Sequence, residues 1–152
     1  MTAAALVAAL DEAKGLATRG APVPEAVTDL VLRILTEASD TPAVLDALKG
    51  AAAGRALLRV TDAPAGTAIE FEAGDGRLMA SLADLKMAKG PKVDATAATW
   101  LGLLGGTLKP WLAFTRGMVI ARAGLTELRW MQQTAERLQR GYEEARRLES
   151  AR

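Results

Sequence analysis

The apolar period of this chain switches from about 3.6 residues to 2 between Leu48 and Arg55, and it switches back near Trp100. A helix repeats its buried face every three to four residues and a strand every second one. The chain therefore divides into a helical block, a sheet block and a second helical block. Leu6, Val7 and Leu10 share one side of a first helix that ends near Gly20. Gly20-Ala21-Pro22-Val23-Pro24 is a turn, with Pro24 suited to the first turn of the next helix. There Val27, Leu30, Val31, Ile34 and Leu35 form one apolar stripe at i, i+3, i+4, i+7 and i+8. Thr41-Pro42 reads as an N-cap followed by a first-turn proline, opening a third helix with Val44, Leu45 and Leu48 inward. Short apolar helices in succession predict a hairpin packed on the body or on a second subunit.

In the sheet block, Ala56, Leu58 and Val60 of Arg55–Thr61 face one way while Arg55 and Arg59 face the other. Ile69, Phe71 and Ala73 alternate with Glu70 and Glu72 over Thr67–Ala73. Turns at Asp62-Ala63-Pro64-Ala65-Gly66 and Gly74-Asp75-Gly76 lead to a third strand through Leu78, Ala80 and Leu82. A fourth, Lys92–Thr96, turns Val93 and Ala95 inward. The pattern is that of half-buried antiparallel strands with one face left for helices to cover.

The second helical block opens with a short helix, Thr99–Leu104, which Gly105-Gly106 ends. Lys109-Pro110 leads into one helical turn over Trp111–Thr115, and Arg116–Arg122 reads as a last strand. A long helix from Leu125 to Leu148 places Leu128, Met131, Ala135, Leu138, Tyr142, Ala145 and Leu148 on its inner line.

Composition decides what chemistry such a fold could host. The 152 residues contain no cysteine and no histidine, which excludes disulfides, thiolate nucleophiles and the usual zinc and non-haem iron sites. Ser–His–Asp and Cys–His arrangements are excluded with them. The spacing puts the carboxylate pairs Glu70/Glu72 and Glu143/Glu144 on exposed faces, whereas a catalytic pair needs a cleft, so structural or solvating roles are expected. Gly50-Ala51-Ala52-Ala53-Gly54-Arg55 lacks the Gly-Lys-Ser/Thr ending of a phosphate loop. A net charge of +1 is far from the basic footprint of a nucleic-acid binder. No apolar run reaches the ~20 residues of a membrane span. The Ala3–Leu10 stretch lacks the basic flank of a signal peptide, so a soluble cytoplasmic protein is the expectation.

The stretch Gly106-Thr107-Leu108-Lys109-Pro110-Trp111-Leu112-Ala113-Phe114-Thr115-Arg116-Gly117 resembles the sterol carrier protein type 2 family of non-specific lipid-transfer domains. That family shows a glycine, a proline, an Ala-Phe pair and a glycine at similar spacing, between a short helix and a strand leading to a long helix. The likeness covers about Thr41 to Leu138, with Ala123-Gly124 where the family places its second glycine one residue earlier. It implies an α/β (α+β) fold with a five-stranded, mostly antiparallel sheet, helices on one face and an apolar tunnel between them. The expected division is an N-terminal helical extension over 1–40 and a lipid-binding domain over 41–152.

The resemblance further implies a carrier for a fatty acid, acyl-CoA, sterol or isoprenoid, with no catalytic residue, metal or cofactor. Trp100, Leu104, Trp111, Leu112, Phe114, Met118, Ile120, Leu128 and Met131 are the candidate lining, and Arg116, Arg122 and Arg129 the candidate headgroup contacts. The alanines on the sheet face, Ala56, Ala73, Ala80 and Ala95, would leave volume for a tail. Partners are then a hydrophobic small molecule, a transient membrane or enzyme, and a second copy through residues 1–40; nucleic acid is not expected. Two other readings stand beside this one. One is an accessory or scaffold subunit in lipid or isoprenoid-quinone biosynthesis, and the other is a small enzyme with the apolar cavity as its active site.

Overall fold

The computed structural model describes residues 3–19, 24–63, 67–84 and 89–151. Helices α1 (Ala4–Arg19), α2 (Pro24–Ala38) and α3 (Pro42–Ala47) precede strands β1 (Gly54–Val60), β2 (Thr67–Gly74), β3 (Arg77–Asp84) and β4 (Lys92–Ala95). Then come α4 (Ala97–Gly105), α5 (Pro110–Thr115), β5 (Ile120–Arg122) and α6 (Leu125–Ser150). The turn expected at 20–23, and residues 64–66 of the next one, lie outside the described residues.

The five strands lie in the order β3-β2-β1-β4-β5. The β1–β2, β2–β3 and β4–β5 pairs are antiparallel, and β1–β4 is parallel. This is the α/β, mostly antiparallel architecture that the family resemblance implied. Cross-strand pairing puts Ala56 opposite Phe71 and Leu58 beside Val93, all on the face that the helices cover. The other face is charged: Arg55 lies 3.9 Å from both Glu70 and Glu72. Such half-exposed pairs contribute little to stability.

Arg59 and Asp94 on that face differ from these pairs. Arg59 Nε and Nη2 donate to Asp94 Oδ1 and Oδ2 at 3.1 and 2.6 Å, and the Asp94 side chain is only 4% exposed. Removing the guanidinium strands a buried carboxylate, an effect softened here because the Arg59 side chain is one-third exposed. Arg59→Ala is expected to cost about 2 kcal/mol in urea unfolding, whereas Arg55→Ala should cost under about 0.5 kcal/mol.

The stripe on α2 is spent on the body of the domain: Val27, Leu30, Val31, Ile34 and Leu35 are all buried. Leu6, Ala9, Leu10 and Ala13 of α1 follow the same i, i+3, i+4, i+7 rule, and α1 packs on α4 and α2. Both helices of the 1–40 segment thus share one hydrophobic cluster with the sheet and α6. Two glycines set the interhelical distances. A Cβ on Gly105 would sit 2.8 Å from Lys14 Cα, and one on Gly141 would sit 2.8 Å from Val44 Cα.

Two local expectations change. Thr41 occupies the N-cap position of α3, but its Oγ1 bonds back to the Glu37 carbonyl at 2.8 Å and caps nothing. Pro42, the first helical residue, lacks an N–H, so the helix start has one orphan donor fewer. The strand expected over Arg116–Arg122 shrinks to Ile120–Arg122, because residues 116–119 form a turn. In that turn the Met118 and Val119 N–H groups return to the Ala113 carbonyl at 2.9 and 3.4 Å. The alternation then runs with Val119 and Ala121 inward, and Ala121 pairs with Val93. Met118 and Ile120, expected inward, are 39% and 58% exposed. A one-residue shift of phase exchanges the faces of a strand.

Candidate ligand-binding cavity

Between the sheet and the helices lies a cavity of ≈ 110 Å³. Its floor is Ala56, Leu58, Phe71 and Val93 of the sheet, and its walls are Val31 and Leu35 of α2 with Trp100, Leu103 and Leu104 of α4. Pro110, Phe114 and Val119 close one side. Along α6, Trp130, Met131, Ala135 and Leu138 add apolar surface, while Thr134, Gln139 and Tyr142 are the polar side chains of the lining.

Directional bonds hold these walls in place. Thr96 caps α4 by accepting from the Thr99 N–H at 3.3 Å, and Asp62 Oδ1 accepts from the Ala97 N–H at 2.8 Å. Gly106, with φ 80°, ends α4 in the left-handed conformation that glycine tolerates best. The two tryptophans are pinned at opposite ends of β1: Trp100 Nε1 donates to the Arg59 carbonyl at 2.9 Å, and Trp130 Nε1 to the Ala52 carbonyl at 2.8 Å. Gly54 makes room for the second indole, since a Cβ there would meet the Trp130 ring at 2.4 Å. Gln139 Nε2 donates to the Leu103 and Leu108 carbonyls at 2.9 and 3.3 Å, tying α6 to the end of α4. A rigid frame therefore surrounds an incompletely filled centre.

Of the residues expected from sequence to line it, Trp100, Leu104, Phe114 and Met131 are brought together in the cavity. Trp111, Leu112, Met118, Ile120 and Leu128 lie outside its lining. In the single turn of α5, Pro110, Ala113 and Phe114 face inward at i, i+3 and i+4, which turns Trp111 outward to 49% exposure. Arg116, Arg122 and Arg129 are exposed and none touches the cavity. Sequence reasoning missed Trp130, which stands 6.2 Å from the Phe71 ring at a 43° tilt, and the α2 residues Val31 and Leu35. Of the sheet alanines only Ala56 reaches the cavity; Ala73 and Ala95 are buried elsewhere in the core.

Tyr142 is only 6% exposed, and its hydroxyl has no hydrogen-bond partner among the described residues. Burial pushes its phenol well above the ordinary value, so it stays neutral. No cluster of three or more His, Cys, Asp or Glu side chains able to hold a metal occurs among the described residues. No helix among them is long and apolar enough to cross a membrane.

No family model and no curated protein matches the chain. Solved structures do. A conserved hypothetical protein of Thermus thermophilus, a candidate sterol carrier protein, is 22% identical with a TM-score of 0.51, over 70% of this chain and 79% of its own. Sterol carrier protein 2 is 21% identical with a TM-score of 0.51, over 72% of this chain and 90% of its own. The fold is that of a sterol carrier protein 2-type domain. A weaker likeness, 12% identical with a TM-score of 0.46 over 80% of this chain and 96% of the other, is to the UbiJ-SCP2 ubiquinone synthesis protein. In this fold the cavity lies between the helices and the inner face of the sheet.

Proposed function

We propose that this domain binds a hydrophobic small molecule between sheet and helices and releases it at a membrane surface. The cavity carries the reading: it is enclosed by side chains from both the sheet and the helices, yet no Asp, Glu, Lys or Arg stands in its wall. Such a wall supports binding by apolar burial, at about 0.8 kcal/mol per methylene, and offers acid–base chemistry one titratable group, a neutral phenol. A cavity of about 150 Å³ is enough for a benzene ring. The ≈ 110 Å³ here holds less than that, so a ligand fills it with a chain segment or a branched unit and the rest of a longer ligand lies outside it.

The exposed apolar residues of the segment 111–125 support release to a membrane. Trp111, Met118, Ile120 and Leu125 are 49%, 39%, 58% and 78% exposed, and the exposed Arg116, Arg122 and Arg129 are interspersed with them along the chain. Exposed apolar side chains in a segment that also carries exposed cations suit the headgroup boundary of an anionic bilayer. The three arginines then meet membrane headgroups rather than a ligand's. Replacing Trp111 and Ile120 together by Asp is expected to lower partitioning onto phosphatidylglycerol vesicles at least about tenfold, measured by sedimentation, with cavity binding unchanged.

The binding claim itself is tested by native mass spectrometry of gently purified protein. The expected result is a hydrophobic adduct released by organic solvent. A bare mass, with no uptake of offered lipid and no change in the fluorescence of Trp100 and Trp130, overturns it.

A further inference from the structure

We infer that residues 109–122, comprising α5, the turn after it and β5, are the gate of the cavity, swinging out as one body at a membrane to let the ligand pass. This rests on the cavity taking a hydrophobic ligand and adds the route by which that ligand enters and leaves. Pro110, Phe114 and Val119 belong to the cavity wall, whereas Trp111, Met118 and Ile120 of the same stretch are exposed. One layer of chain thus carries the cavity wall on one side and exposed apolar side chains on the other. Its bonds are its own. Thr115 Oγ1 donates to the Trp111 carbonyl, the Arg116 N–H to Leu112 and the Gly117 N–H to Phe114. With Met118 and Val119 bonded back to Ala113, every hydrogen bond of residues 109–119 among the described residues stays inside that stretch.

The other helical walls are tethered. Trp100 and the Ala97 N–H bond α4 to the Arg59 carbonyl and to Asp62. Trp130, Arg137 and Gln139 bond α6 to the Ala52, Ala47, Lys49 and Leu103 carbonyls, and the Arg33–Glu12 pair joins α2 to α1. Two attachments limit the gate. At its base Gln139 holds the Leu108 carbonyl, next to Gly106, whose φ of 80° and open surroundings suit a hinge. At its other end β5 offers β4 three residues, and as an edge strand it pairs on one side alone. The bonds from Met118 and Val119 to Ala113 make α5 pull on β5 when it moves. In water the gate stays shut because Pro110, Ala113 and Val119 are buried, and burial is a non-directional force that opening must oppose. Acyl chains meet the same side chains as well as the cavity does, so that opposition falls once Trp111, Met118 and Ile120 enter a bilayer.

A cysteine-free chain makes the test direct. Lys92 and Arg122 stand opposite each other on β4 and β5, so Lys92→Cys with Arg122→Cys closes one unambiguous disulfide that clamps the gate. The probe is 11-(dansylamino)undecanoic acid, and its transfer to phosphatidylglycerol vesicles is followed as loss of energy transfer from tryptophan. The clamp is expected to slow transfer at least about tenfold while affinity stays within about twofold, and reduction of the same protein should restore the rate. Comparing the oxidised and reduced forms cancels the effect of the two lost charges. Equal transfer rates in the two forms overturn the inference. Should the variant fail to fold or to cross-link, hydrogen exchange of the wild type decides. On the vesicles the amides joining β5 to β4 should exchange at least about tenfold faster, while the Met118 amide, bonded inside the gate, keeps its protection. Unchanged exchange at those ladder amides overturns it equally. If the probe binds and neither readout responds, only this inference fails. If the probe does not bind, the cavity reading fails with it.

Discussion

Gly141→Leu should destabilise the domain by about 3 kcal/mol, seen as an earlier urea midpoint with an unchanged slope. Gly141 lies inside α6, where glycine is an unfavourable helix residue by nearly 1 kcal/mol relative to alanine. Its presence there has a geometric cause. A Cβ would come within 2.8 Å of Val44 Cα and 3.4 Å of Ala47 Cβ, so α3 lies directly on the α6 backbone. The obstructing atom belongs to a backbone and cannot rotate away. α3 must therefore lift, and Val44 and Leu48, both fully buried, lose packing on one side. A gap of even 0.5–1 Å forfeits about a quarter to a half of each contact's attraction. Arg137 also donates to the Ala47 and Lys49 carbonyls at 3.2 Å, and these bonds lengthen with the shift. Gly141→Ala should cost less, about 1 kcal/mol, since its better helix propensity offsets part of the clash. Equal stability of Gly141→Leu and wild type would show that α3 is not seated as described.

What the chain disclosed in advance was its periodic content. Val27 to Leu35 repeat at 3.6 and Ile69 to Ala73 at 2, and both patterns appear as a helix and a strand at those residues. Local arithmetic governs such elements, so adjacent residues carry the information. The cavity depends on contacts that no local pattern encodes. Trp130 borders it because Gly54, more than seventy residues earlier, leaves room for an indole. Val31 and Leu35 border it because α2 crosses the inner face of the sheet, although their burial was clear from the stripe. Two mistakes were avoidable. Pro110, Ala113 and Phe114 already form the inward i, i+3, i+4 set that turns Trp111 outward, and Gly117, two residues past a helix ending at Thr115, is a turn signal where the strand was expected to begin. The phase of β5 was not avoidable, because the bonds from Met118 and Val119 back to Ala113 fix it.

Filling the cavity should abolish uptake without unfolding the domain. Ala56 on β1 and Ala135 on α6 both border it, from the sheet and from the helix opposite. Leucine at either position adds three carbons to a chamber of ≈ 110 Å³. Each carbon displaces about one methylene of ligand, at about 0.8 kcal/mol, so Ala56→Leu or Ala135→Leu should weaken an apolar probe about 50-fold. The two share one space and will not act independently, so the double variant is expected to show no measurable uptake of pentylbenzene. Stability should move the other way or not at all. In a well-packed core such enlargement costs about 1–3 kcal/mol through strain, whereas here the added carbons enter volume that no side chain occupies. Binding lost with the melting temperature held or raised is therefore the signature of an occupied ligand site. A melting temperature that falls by several degrees would identify the same residues as close-packed core, and unchanged uptake would place the ligand elsewhere on the molecule.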